Sequence, residues 1–208
     1  EQIKENLIGA GNNVVTVGLH HNKNIYQMNW NPIPQGVRTI TEETRKELES
    51  LDGAEGVSLY CARNYAEEVY YKNTQYNGEV YGIDPHYLNV YGYQVKSGRG
   101  FTERDYRNFR KVALVDTTAV TNLFGGEDPV GKVIEMQGDV FTVVGVVSLS
   151  EEFQPTINSI NDYWMYADTS AGSVYIPLTV WPTVYRFDEP QSVAIKVKNT
   201  DVMTSAGK

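Results

Sequence analysis

The chain has 208 residues, enough for one large domain or two small ones with a real core. Its formal net charge is −8, and its Lys and Arg residues are scattered rather than striped, which argues against nucleic acid and anionic membrane surfaces as partners. A single cysteine excludes an internal disulfide, and 15 Tyr against six Phe favours half-buried sheets and wet interfaces, where a ring packs while its hydroxyl stays hydrated.

In chain order, the opening EQIKEN is polar, and the sequence holds neither a signal peptide nor a run of about 18 apolar residues. This abrupt start, and an end just past a strand, predict an excised piece of a longer protein. Residues 13–19 (NVVTVGL) read as a strand, and the Asn- and Pro-rich 22–38 as a loop. Residues 41–51 predict an amphipathic helix with Thr41 as N-cap, Glu42 and Glu43 in the first turn, and Leu48 and Leu51 on one buried face. Gly53 or Gly56 stops it. Residues 57–61 alternate as a strand carrying Cys61 inward, a buried structural thiol rather than a nucleophile, since no His adjoins it in sequence.

Residues 68–83 predict a hairpin around Asn77-Gly78, a pair suited to two successive positive φ angles. Asp84-Pro85 predicts the cap and first position of a short helix carrying Tyr87, Leu88 and Tyr91. Residues 112–115 form a short buried strand, and Asp116 or Thr117 caps a helix whose apolar face is Val120, Leu123 and Phe124. Residues 133–136 and 140–147 form a hairpin around Gln137-Gly138. The long polar and aromatic segment 150–172 reads as an insertion, and 173–176 and 192–197 as closing strands. Strands and helices do not alternate regularly and no internal repeat is present, so the fold class is α+β with a mainly antiparallel sheet and short helices.

The segment 126–132, GEDPVGK, has the G-x-x-x-x-G-K spacing of a phosphate-binding loop. Its context is reversed, with helix before and strand after, whereas a phosphate loop follows a strand and opens a helix. Val133 stands where a magnesium-binding hydroxyl is needed, Pro129 lacks an N–H, and Glu127 and Asp128 repel phosphate. The segment is architecture: Gly125 ends the helix in the left-handed conformation, and Asp128, Pro129 and Gly131 shape a turn into the next strand.

No catalytic set, cofactor site or metal site can be assembled. His20 and His21 are adjacent, so a strand points them to opposite faces, and no Cys or His falls at zinc-ligand spacing. The carboxylate pairs 67–68, 127–128 and 151–152 read as solvated surface, and no G-x-S-x-G elbow occurs. The expectation is therefore not an enzyme. The aromatic residues Tyr163, Trp164, Tyr166 and Trp181 form the candidate contact with a partner or substrate, with packing of a core as the competing role.

Six further segments occur in a fixed order: 3–17 (IKENLIGAGNNVVTV), 80–88 (VYGIDPHYL), 98–105 (GRGFTERD), 112–116 with 119–132 (AVTNLFGGEDPVGK), 141–147 (FTVVGVV) and 174–177 (VYIP). In that order they resemble the extracytoplasmic core domain of MacB-type ABC transporter permeases, of the FtsX-like superfamily. The resemblance implies a domain flanked by transmembrane helices, on the periplasmic or cell-surface side. It also implies a homo- or heterodimeric permease working with a cytoplasmic ATP-binding subunit or domain, and a partner protein outside. Its implied task is to couple ATP hydrolysis mechanically to export or release of a substrate. It implies two lobes: residues 1–75 with 190–208 as a membrane-proximal, porter-like βαβ lobe, of which the sequence carries an incomplete C-terminal part, and residues 76–189 as an inserted distal lobe. The alternative is a free-standing extracellular solute- or peptide-binding protein, which needs a deep pocket with convergent polar groups.

Overall fold

β-branched and aromatic runs bounded by Gly, Asn and Asp build a strand-rich molecule in this computed structural model, which describes residues 13–21, 24–65, 68–150 and 171–198. The first half contains β1 (Val14–Val17), β2 (His20–His21), β3 (Asn24–Ile25), α1 (Glu42–Glu49), β4 (Ala54–Arg63), β5 (Val69–Tyr71), β6 (Thr74–Gln75), β7 (Glu79–Ile83) and α2 (Tyr87–Val90). The second contains β8 (Tyr93–Gly98), α3 (Glu103–Arg107), β9 (Val112–Asp116), α4 (Thr117–Phe124), β10 (Val133–Met136), β11 (Asp139–Leu149), β12 (Ser173–Pro177), α5 (Trp181–Val184) and β13 (Ser192–Val197). One sheet runs in the order β1-β13-β4-β7-β12-β9-β11-β10-β5-β6, with β8 added to the C-terminal half of β11. Within it the β7–β12 and β9–β11 pairs are parallel and the remaining pairs antiparallel, the mixed α+β architecture read from the sequence.

Period-2 alternation sorts side chains to two faces. Ala113, Val115, Val174, Ile176 and Val143 face one way and pack with Leu123 and Phe124 of α4 and Trp181 of α5. Leu114, Tyr175 and Val147 face the other way, against Tyr87 of α2 and a set of half-buried tyrosines. Tyr60, Tyr81, Tyr87, Tyr91, Tyr93 and Tyr175 stack there with ring centroids 4.6–6.3 Å apart, mostly tilted or edge-on, as ring quadrupoles prefer.

Several expectations are corrected by the fold. No hairpin forms at Asn77-Gly78: the tight turn falls at Lys72 (φ 52) and Asn73, and β7 pairs with β4 and β12. The Tyr76 hydroxyl and the Glu79 N–H both donate to the Gly172 carbonyl, which steers the chain onto β12. Gly78 serves close approach, since a Cβ there would collide with the Tyr76 hydroxyl and the Gly172 carbonyl. Strand β5 pairs with β10, and β6 with β5, at the sheet end farthest from β1. Helix α1 is capped by Thr41 as expected, yet Leu51 lies past its end and is 48% exposed. The buried residue is Arg45, which donates to Glu42, Glu49 and the Val57 carbonyl. Asp84 does not cap α2, which starts three residues later. Its buried carboxylate accepts from the Ser58 hydroxyl, the Leu59 N–H and the His86 N–H.

The 98–105 segment has a local reason for its residues. Gly98 takes φ 69 where β8 meets Gly145 of β11, and Thr102 with Asp105 makes a reciprocal capping box at the start of α3. Asp105 also accepts from Arg99 at 2.6 Å. Burial raises the Asp105 pKa, but the Arg99 bond and the Thr102 N–H and hydroxyl outweigh it, so the carboxyl sits below its ordinary value. A lowered folded-state pKa stabilises above the unfolded value of about 3.9 and is lost as pH falls further. Asp105→Asn should therefore cost about 1–2 kcal/mol at pH 7, a figure discounted because Arg99 is partly exposed, and progressively less below about pH 4. Urea unfolding at both pH values checks this.

Candidate functional site

The β4–β13 register sets the site. Ser192 pairs with Tyr60, so continuing the antiparallel ladder brings Glu189 opposite Arg63. The Arg63 guanidinium donates to both Glu189 oxygens at 2.6 and 2.5 Å and to the Ala62 carbonyl, with both side chains buried. It also lies 5.1 Å from the Trp181 ring centroid and 4.9 Å from that of Tyr185. Trp181 and Tyr185 stand four residues apart, one turn along α5, with ring centroids 4.3 Å apart. Gly82 of β7 makes room for the indole, since a Cβ there would lie 2.6 Å from Trp181 Cε3.

Arg63 and Tyr185 of this layer line a cleft of about 260 Å3, together with Met28, Asn29, Trp30, Tyr65, Gln137, Val184 and Arg186. Arg186 Nη1 donates to the carbonyls of Asn31 at 3.0 Å and Met28 at 3.4 Å, which fixes the 28–31 turn over α5. Trp30 is 72% exposed, Tyr65 76% and the neighbouring Phe187 80%. Burial pushes the Tyr185 phenol above its ordinary pKa, so it stays a neutral hydroxyl at physiological pH.

Of the aromatic residues expected to make contact, Trp181 is 1% exposed and packs the core, so it presents no face to a partner; α5 turns it under the Arg63–Glu189 pair. Tyr163, Trp164 and Tyr166 lie outside the described residues. The exposed aromatics Trp30, Tyr65 and Phe187 escaped the sequence reading. Trp30 had a usable signal: a large aromatic in an Asn- and Pro-rich loop belongs to no regular strand or helix face that would bury it. Cys61 is buried beneath the sheet and burial raises its thiol pKa, which suppresses the thiolate.

The phosphate-loop look-alike is closed by its own hydrogen bonds. Gly125 ends α4 at φ 63, and Gly131 takes φ 83. The N–H groups of Gly126, Glu127, Gly131 and Lys132 donate to the carbonyls of Val120, Phe124, Val143 and Pro129, and the Val130 N–H donates to Asp128 Oδ1. Lys132 is ion-paired with Glu127 and lies over the Tyr71 ring. A phosphate would have to displace these partners to find donors. Among the described residues no three His, Cys, Asp or Glu side chains gather as a metal site.

Residues 2–208 match the family described as MacB-like periplasmic core domain. The chain belongs to that family. This core domain is 29% identical over 212 residues to the ABC transporter permease YvrN of Bacillus subtilis, covering 100% of this chain and 49% of the relative. It is 30% identical over 132 residues to the macrolide export ATP-binding/permease protein MacB 2 of Aeromonas hydrophila, covering 62% of this chain and 20% of the relative. The core domain thus spans about half the length of the first of these curated relatives. In fold it resembles the crystal structure of the periplasmic region of MacB from Actinobacillus actinomycetemcomitans (TM-score 0.61, 20% identity, 99% of this chain and 86% of that one). It also resembles that of the extracellular domain of YknZ from Gram-positive bacteria (TM-score 0.61, 21% identity, 82% and 79%). The core domain is an extracytoplasmic part of an ABC transporter permease, which sets aside a free-standing binding protein. Among the described residues no helix is long and apolar enough to cross a membrane.

Proposed function

We propose that this domain couples ATP hydrolysis inside the cell mechanically to export or release of a substrate outside the membrane. One observation carries the reading furthest. Strands β1 and β13 are antiparallel neighbours, and the Val197 N–H donates to the Asn13 carbonyl at 2.7 Å. The first and last described segments therefore leave the body side by side, the geometry needed for a domain hung from two membrane helices. In this reading the β1–β13–β4 end lies nearest the membrane and the β9–β11–β10–β5–β6 end is distal, which keeps two lobes but moves residues 69–75 to the distal one. The permease is a dimer, served by a cytoplasmic ATP-binding subunit or domain and meeting a partner protein outside.

The test uses the full-length permease with its ATP-binding partner in membranes, spin-labelled at Val140→Cys, an exposed position on β11. Cys61 stays unlabelled because it is buried. The inter-copy distance distribution should shift when ATP and vanadate are added. An unchanged distribution during measured ATP hydrolysis would refute mechanical coupling.

A further inference from the structure

We propose that the cleft above the Arg63–Glu189 pair is a binding site for a small amphipathic organic anion, a flat apolar body bearing one carboxylate. The inference stands whether or not the domain couples ATP hydrolysis. Three observations carry it. The first is size: about 260 Å3 falls just short of the roughly 300–1,000 Å3 of drug-sized sites, so the cleft takes one ring system and a short arm.

The second is charge. Arg63 is neutralised by both oxygens of Glu189 and has no capacity for another anion. Arg186 has no carboxylate partner among the described residues, and its hydrogen bonds to Met28 and Asn31 both leave from Nη1. Its Nη2 and Nε N–H groups form the planar fork that a carboxylate matches with two parallel hydrogen bonds. Tyr185, which lines the cleft, carries a buried hydroxyl with no hydrogen-bond partner. Buried donors without partners are uncommon in folded proteins. The Arg186 fork, with no carboxylate opposite it among the described residues, selects an anion over a cation.

The third is the aromatic wall. Trp30 and Tyr65 line the cleft while 72% and 76% exposed, large apolar faces left in water on a strongly acidic protein. A ring seated between them gains stacking area as its carboxylate reaches Arg186.

The experiment titrates the 15N-labelled chain with 3-phenylpropionate and, in parallel, with 3-phenylpropionamide, the same body without the charge. Saturable shifts of the Trp30 indole N–H and Arg186 Nε–H resonances are expected, with the amide binding roughly tenfold more weakly. Trp30→Ala should weaken both probes about fivefold, and Arg186→Met should abolish the preference for the carboxylate. Because Arg186 also anchors the 28–31 turn, Arg186→Lys, which keeps the charge and loses the fork, is the control; it should retain part of the preference. Equal binding of the two probes, shifts confined to other surfaces, or no saturation below about 10 mM would each overturn the proposal.

Discussion

Glu189→Ala is expected to destabilise the domain by about 3–5 kcal/mol, because it leaves the Arg63 guanidinium buried with no counter-charge. That is a large share of the roughly 5–15 kcal/mol by which a domain is stable. The size comes from desolvation rather than from attraction: Arg63 is held under α5 and stacked against two rings, so it cannot turn out to water without breaking that packing. The decisive comparison is the double variant Arg63→Met with Glu189→Leu. Removing both charges while keeping volume should recover most of the loss, as replacing a buried pair by apolar side chains is often near neutral. Urea unfolding of the two single variants and the double at pH 7 measures the cycle. A Glu189→Ala loss below about 1 kcal/mol would mean that the pair is solvated and that the floor of the cleft is misread.

The second large effect separates a core aromatic from surface ones. Trp181→Ala should cost about 3–5 kcal/mol, since the indole is among the largest fully buried side chains and its removal opens a void beside Gly82. Trp30→Ala should stay within about 0.5 kcal/mol, because the ring is mostly in water already. Gly82→Ala probes the same packing from the opposite side. The added methyl must push the indole away, at a cost of about 1–3 kcal/mol, and a Gly82→Ala protein as stable as the parent would show the ring to be loosely held. Thermal unfolding of the three variants gives the ordering.

Local chemistry made much of the fold legible in the sequence. Thr41 and Asp116 cap their helices through their side-chain oxygens, and Gln137 and Gly138 take φ 52 and 79 in a tight hairpin turn whose second position glycine accommodates without strain. Where distant residues decide, the sequence was silent. Asn77-Gly78 carries a strong hairpin signal, but Tyr76 bonds to Gly172, 96 residues away, and that contact chooses the strand partner. Arg63 and Glu189 are separated by 126 residues, and only the β4–β13 register reveals them as a pair. The candidate cleft was hidden for the same reason: its lining comes from segments near residues 28–30, 63–65, 137 and 184–186. Trp181 shows the limit of composition alone, for an indole looks the same in a sequence whether α5 turns it inward or outward.

The hydrogen bond between Asn13 and Val197, with β1 laid along β13, also fixes how the body bears a load. A force that drew the two attachment points apart would peel the ladder from one end, breaking its rungs singly instead of sharing tension among them. Such a joint yields easily to spreading and resists sliding.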